Sequence, residues 1–246
     1  MTRKFVRRTQ AACAHWLLLA LLVCSAVLPA MTAHAEDGYD LWLRYHLLPD
    51  AAQKQGSARE LVVLGATPTL QAAGDELQRG LHGLLGVAPT LTQAATRDGA
   101  IVLGTAQTPQ IAALGLATQA LGREGYLIRS TRVDGHQATV IVGGSDVGVL
   151  YGAFHLLRLV QTGQSLSALN LRQTPRLQLR LLNHWDNLDG VVERGYAGAS
   201  LWNWQTLPGY LDPRYTDYAR ANASLGINGT VLNLSLIHIS DGAREA

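Results

Sequence analysis

The chain has 246 residues, 48% apolar and 15% charged, enough for a buried core in one or two domains and unlike a disordered, collagen-like or coiled-coil sequence. Arg3, Lys4, Arg7 and Arg8 all precede the first acid, Glu36; without these four the 20 basic residues become 16 against 18 acids, so the net +2 becomes −2. That balance removes the electrostatic case for a nucleic-acid partner.

Residues 1–35 read as a secretory signal: a basic head, an apolar stretch from Trp16 to Leu28, and Ala33-His34-Ala35 ahead of a cleavage point before Glu36. The apolar stretch, roughly 13 residues, falls short of the ~20 that span a bilayer as a helix. The expected location is therefore periplasmic or extracellular, with no membrane attachment after cleavage. Thr9-Gln10 after Arg7-Arg8 lacks the apolar pair of a twin-arginine signal, and Val23 before Cys24 does not suit a lipoprotein. Both cysteines, Cys13 and Cys24, lie in the removable piece, so no disulfide, thiol nucleophile or cysteine metal site is expected in the remainder.

From Leu61 the texture is α/β. Leu61 to Leu64 predicts a buried strand; Leu70, Leu77, Leu81, Leu84 and Leu85 predict a helix that Gly86 to Pro89 stop. Ala100 to Gly104 predicts a second strand and Gln110 to Leu116 a short helix. Gly125–Arg132 and Thr139–Val142 flank Asp134-Gly135, a pair that accepts the positive φ of a tight hairpin turn. Val149 to Val160 then forms an amphipathic helix with Ser145 or Asp146 at its N-cap. These elements define an N-terminal α/β domain over 36–165, and the polar stretch 166–176 suits a linker.

Beyond it, Leu177 to Leu182 predicts a strand running into Asn183-His184-Trp185-Asp186-Asn187, Leu211 to Leu225 a helix with Pro213 in its first turn, and Ile227 to Asn233 another strand. A strand, a polar and aromatic loop, a helix and a strand is the opening unit of a (β/α)8 barrel, whose chemistry gathers at the C-terminal strand ends; such a barrel takes ~250 residues, and about seventy remain here.

Several chemistries lack their residues. No G-x-G-x-x-G or Walker lysine is present, since Lys54 is the only lysine after the leader, and no G-x-S-x-G surrounds Ser145, Ser165 or Ser200. His82, His136 and His155 lack metal-ligand spacing, and Asp186 to Gly190 does not alternate oxygen donors as a calcium loop does. Asn222, Asn228 and Asn233 sit in glycosylation sequons without further support. The cluster Asn183 to Asn187 is what remains: an indole offers a face to a sugar's C–H patch, and amide, imidazole and carboxylate groups reach its hydroxyls. The same residues could instead cap a barrel and a helix.

Here the sequence resembles a known family. Leu182-Asn183-His184-Trp185-Asp186-Asn187-Leu188-Asp189-Gly190, Val192-Glu193-Arg194-Gly195-Tyr196-Ala197-Gly198, Tyr210-Leu211-Asp212-Pro213-Arg214-Tyr215 and Ala223-Ser224-Leu225-Gly226-Ile227-Asn228-Gly229-Thr230 closely resemble the α-glucuronidases of glycoside hydrolase family 67. The resemblance implies an N-terminal α/β domain like the second domain of chitobiases and hexosaminidases, then a (β/α)8 catalytic barrel over 177–233 and beyond. It implies an inverting hydrolase that removes (4-O-methyl)-glucuronic acid from glucuronoxylan oligosaccharides, with no cofactor and no metal, and leaves a homodimer of the full-length enzyme open. Inversion requires a carboxylic acid and a carboxylate base ~6.5–9.5 Å apart; in the family these come from later strands, so no catalytic residue is expected in this chain, Asp186 and Glu193 included. Trp185 matches the family tryptophan that packs against the uronic acid, with Asn183, His184, Asp186 and Asn187 as its binding neighbours or its loop supports.

After Asn233 the sequence departs from the family. Leu234-Ser235-Leu236-Ile237-His238-Ile239-Ser240 is similar to a translated sequencing adaptor, and 234–246 is expected to be foreign to the gene. The expectation is then an N-terminal fragment of an exported α-glucuronidase, inactive by itself. The alternatives are a non-catalytic carbohydrate-binding domain, disfavoured because Trp42 is the only tryptophan in 36–165, and another glycosidase such as a hexosaminidase.

Overall fold

The computed structural model describes residues 36–194 and 198–235. The leader assigned to 1–35 and most of the tail assigned to 234–246 lie outside the described residues. The chain divides into two units, Met1–Tyr39 and Asp40–Ala246, and the elements below belong to the second.

After a short helix α1 (Ala51–Lys54) come strand β1 (Glu60–Val63), helix α2 (Pro68–Leu85), β2 (Thr90–Thr92), β3 (Ala100–Thr105), the single-turn α3 (Pro109–Ala112), the hairpin β4 (Tyr126–Val133) and β5 (His136–Gly143), and helix α4 (Asp146–Gln161). With β6 (Asn170–Gln173) the strands form a six-stranded sheet in the order β2-β1-β3-β5-β4-β6. Strands β2, β1, β3 and β5 run parallel; β4 is antiparallel to β5 and β6.

Both faces of this sheet are covered, which is why its central strands are continuous apolar runs rather than alternating ones. Ile101, Leu103 and Ile141 face α2 and α4, where Leu70, Leu77, Leu81, Leu84, Val149, Leu156 and Leu157 are buried with them. The alternate residues Val62, Val102, Val140 and Val142 meet Ile111, Leu121 and Ala95 on the other side. Helices α2 and α4 approach closely at Gly80, where a Cβ would meet a Leu157 methyl at 2.5 Å. The Asp134-Gly135 turn adopts φ of 52° and 86°, the positive values a two-residue hairpin loop requires.

Some local expectations differ. The segment expected as a linker contains β6, which closes the sheet edge by pairing with β4. Gln110 to Leu116 shortens to Pro109–Ala112, ended by Gly115 at φ 62°. Ser145 occupies the N-cap position of α4, but its hydroxyl donates to the Arg123 carbonyl (2.7 Å) instead of capping; Asp146 Oδ2 accepts from the Thr67 hydroxyl (2.7 Å).

A second sheet, ordered β8-β7-β9, comprises β7 (Leu181–Asp186), β8 (Val192–Arg194) and β9 (Gly229–Leu234). Helix α5 (Pro213–Ser224) lies between β7 and β9 in sequence, and those two strands are parallel, as in a β-α-β unit. Its start is fixed by Pro213 and by Asp212, whose carboxylate accepts from the Arg214 N–H (3.0 Å). Leu177 and Leu179, expected to begin β7, precede it and are exposed.

Polar clamps join α5 and β7 to the first domain. Arg220 on α5 donates from Nε and an Nη to the two oxygens of buried Glu76 on α2 (2.8 and 3.0 Å) and to Asp217 (2.9 Å), while the Tyr45 hydroxyl donates to Glu76 (2.7 Å). Arg158 of α4 donates to the Ser224 carbonyl (2.7 Å), and Arg180 pairs with Glu124, which also accepts from Asn228. No helix among the described residues is long and apolar enough to cross a membrane.

Candidate functional site

The period-two alternation of β7 divides the five-residue cluster between two faces of the sheet. His184 and Asp186 point toward α5 and the loop before it, whereas Asn183 and Trp185 lie on the opposite face, and Asn187 begins the following loop. The sequence brought the five together; the pleat separates them.

On the α5 face, His184 Nε2 and the Tyr218 hydroxyl are 2.6 Å apart, and that hydroxyl lies 3.2 Å from Thr230 Oγ1 on β9. Trp202 stands edge-on to both His184 and Tyr218, with centroids 5.4 Å away, and packs on Tyr215 at 4.8 Å. Burial pushes the His184 pKa down, and the nearby Asp186 carboxylate only partly opposes it. The imidazole is therefore neutral at neutral pH.

Asp186 is fully buried. Its Oδ2 accepts from Trp204 Nε1 (2.8 Å) and from the Ser200 hydroxyl, whose oxygen in turn accepts from the Trp202 N–H (3.0 Å). Its carbonyl accepts from the Ser235 N–H (2.7 Å). One carboxylate thus pins the loop containing Ser200, Trp202 and Trp204 against the strand end. Asn187 shapes the next turn by donating its N–H to the Val191 carbonyl (2.7 Å) and accepting from the Gly190 N–H (3.0 Å).

On the other face, Asn183 is exposed, and Trp185 is in register with Asn233 of β9 and Arg194 of β8. The Arg194 guanidinium lies over the indole, 5.0 Å from the ring centroid. Trp185 Nε1, Asp186 Oδ1, Asn187 Oδ1, Glu193 Oε2 and Trp202 Nε1 are all buried without a hydrogen-bond partner. A buried polar atom left alone costs about 1–3 kcal/mol, so such a concentration marks groups that a ligand, water or further protein would satisfy.

Sequence reasoning singled out Trp185 but gave no role to Arg194 or Asn233, because strand register is what brings them beside it. The adjacency of Glu193 and Arg194 was the available signal. Among the described residues no three His, Cys, Asp or Glu side chains gather to hold a metal ion. Among the described residues one cavity of about 620 Å³ is lined by Lys54, Ser57, Ser130, Gln137 and Gln164, and one of about 590 Å³ by Arg123, Glu124, Arg180 and Asn228.

Two family models match successive parts of the chain. Residues 41–156 match the family model described as glycosyl hydrolase family 67 N-terminus, and residues 159–238 match the family 67 middle domain. A Neosartorya fischeri protein named "Probable alpha-glucuronidase A" is 37% identical over 207 residues, covering 82% of this chain and 24% of that protein. The alpha-glucuronidase of Hypocrea jecorina is 33% identical over 231 residues, covering 87% and 26% respectively. The chain thus spans about a quarter of the length of the curated relatives it matches. Among solved structures, a family GH115 4-O-methyl-α-glucuronidase with specificity for decorated arabinogalactans shares the fold, with a TM-score of 0.54, 18% identity, and coverage of 77% of this chain and 27% of that one.

Proposed function

Because the chain belongs to glycoside hydrolase family 67, we propose that its complete gene product is an exported, inverting α-glucuronidase that releases (4-O-methyl)-glucuronic acid from glucuronoxylan oligosaccharides. This chain supplies the N-terminal α/β domain, of the chitobiase and hexosaminidase second-domain type, and the first β/α unit of a (β/α)8 barrel. The observation that carries the proposal is Trp185 at the C-terminal end of β7, its ring in register with Arg194 and its N–H buried without an acceptor. Barrel enzymes place substrate at such strand ends.

The parallel β7-α5-β9 arrangement supports the barrel, and the network around Asp186 supports a division of labour within the cluster. Trp185, with Asn183 on the same face, contacts the sugar; His184, Asp186 and Asn187 hold the strand end and its loops in shape. The acid and base that inversion requires, ~6.5–9.5 Å apart, come from strands beyond these residues. The basic, apolar leader at 1–35 directs the product to the periplasm or medium.

The test is hydrolysis of aldotriouronic acid. The complete gene product releases the uronic acid with inversion at the anomeric carbon, whereas the 246-residue chain releases none. Release by the short chain would contradict the assignment of both carboxylates to later strands, and no release by the complete product would remove the proposed activity.

A further inference from the structure

The cavity of about 620 Å³ in the first domain is lined by residues between 50 and 167 and sits where the helical layer over the six-stranded sheet ends. Ile101 and Ile141 are buried against α2 and α4. Those helices stop at Leu85 and Gln161, and Thr139, two residues nearer the start of β5 than Ile141, lines the cavity beside their last turns. Thr139 is in register between Ile101 of β3 and Ser130 of β4 and is 4% exposed. The Ser130 hydroxyl is committed, donating to the Leu166 carbonyl (2.7 Å) and accepting from the Leu169 N–H (2.8 Å). The Thr139 hydroxyl has no hydrogen-bond partner among the described residues, and it faces a cavity rather than a packed wall. A nearly buried hydroxyl left without a protein partner favours an occupant that supplies one.

We propose that this cavity binds a neutral, hydroxyl-rich sugar ring, with Thr139 on its floor. The site is built within the first domain, so the inference does not depend on the glucuronidase reading.

The lining decides the chemical class. Lys54 is the one cation among the lining residues, and Asp50 already holds its ammonium at 2.7 Å. Asp98 adds a second carboxylate, whose Oδ1 accepts from the Gln137 N–H (2.8 Å). An anion entering the cavity therefore finds no spare positive charge. The side-chain amides of Gln53, Gln137 and Gln164 make no hydrogen bond to another described residue. An amide both donates and accepts, as does the Thr139 hydroxyl, and that dual character matches the hydroxyls of a sugar. Leu85, Val160 and Leu166 give the ring's C–H groups an aliphatic wall. The volume falls within the roughly 300–1,000 Å³ of small-molecule sites. No aromatic side chain lines the cavity, so recognition here is by hydrogen bonds and aliphatic contact; the scarcity of tryptophan that argues against a flat stacking surface does not bear on a pocket of this kind.

The complete gene product and its Thr139→Val variant are followed by hydrogen–deuterium exchange with xylotriose, a neutral trimer of pyranose rings, and with glucuronate as the anionic control. Xylotriose at about 10 mM is expected to slow exchange in segments 50–57 and 163–167, which glucuronate leaves unchanged. Thr139→Val keeps the shape of the side chain and removes the hydroxyl. It is expected to weaken that protection about 3- to 10-fold in xylotriose concentration, without lowering the thermal midpoint, because no protein hydrogen bond is lost. Absence of protection in both segments, equal protection by glucuronate, or an unchanged xylotriose dependence in Thr139→Val overturns the proposal. Should the variant not fold, the wild-type comparison of the two ligands still decides it. Failure to hydrolyse aldotriouronic acid would remove the glucuronidase reading and leave this site standing.

Discussion

The two sheets differ in what surrounds them. In the six-stranded sheet, Ile101, Val102, Val140 and Ile141 are buried from both sides, and of the partnerless buried polar atoms only Thr92 Oγ1 belongs to that domain. In the three-stranded sheet, helix α5 and its preceding loop cover one face, and Leu181, Leu182, Val231 and Leu232 are 38 to 48% exposed. The first region closes its hydrogen-bond accounts internally; the second leaves open donors and acceptors at one strand end. A scaffold and a site differ here in polar satisfaction more than in residue type.

The largest test concerns what joins the two. Glu76→Ala strands Arg220 and the Tyr45 hydroxyl in a buried setting and is expected to cost about 3–5 kcal/mol, read as a fall in thermal midpoint. A cost under about 1 kcal/mol would show the clamp to be incidental. Leu81→Ala, fully buried between α2 and the sheet, should cost about 2–5 kcal/mol, with denaturant melts as the measure.

Asp186→Asn sharpens the division within the cluster. It weakens the anchorage of Trp204 and Ser200 by about 1–3 kcal/mol, and if Asp186 is a loop anchor the KM of the complete enzyme changes little. A large KM increase without loss of stability would move Asp186 to the sugar side.

His184 gives a pH test. Its folded pKa lies below the ordinary value of about 6.5, so unfolding takes up a proton and stability falls as pH drops below that value toward the folded pKa. His155, lowered chiefly by burial, adds to the same slope. H184Q should flatten the wild-type slope in that window; an unchanged slope would locate the effect in His155 alone. The smallest expected effect is Val231→Ser on the open face, within about 0.5 kcal/mol, against a much larger loss for Val140→Ser in the first sheet.

Much of the first domain was legible because its signals are local. The leucine spacing of α2 and the Asp134-Gly135 turn are written in consecutive residues. Strands β2 and β6 were missed because each is three or four residues with a single apolar side chain, and their pairing to β1 and β4 supplies what their sequences lack. In the site, the sequence set Asn183 to Asn187 after the strand as one cluster, and the strand's extension through Asp186 is what splits it between two faces. What no local pattern revealed was which face α5 covers, since that depends on Tyr218 meeting His184 across 34 positions.

The Glu76–Arg220 clamp also bears on the order of events during synthesis. Glu76 and Tyr45 leave the ribosome before Arg220, so the first domain has its acceptor in place when α5 emerges. Since N-terminal domains fold first as translation proceeds, helix α5 meets a finished partner and is held in position as soon as it forms.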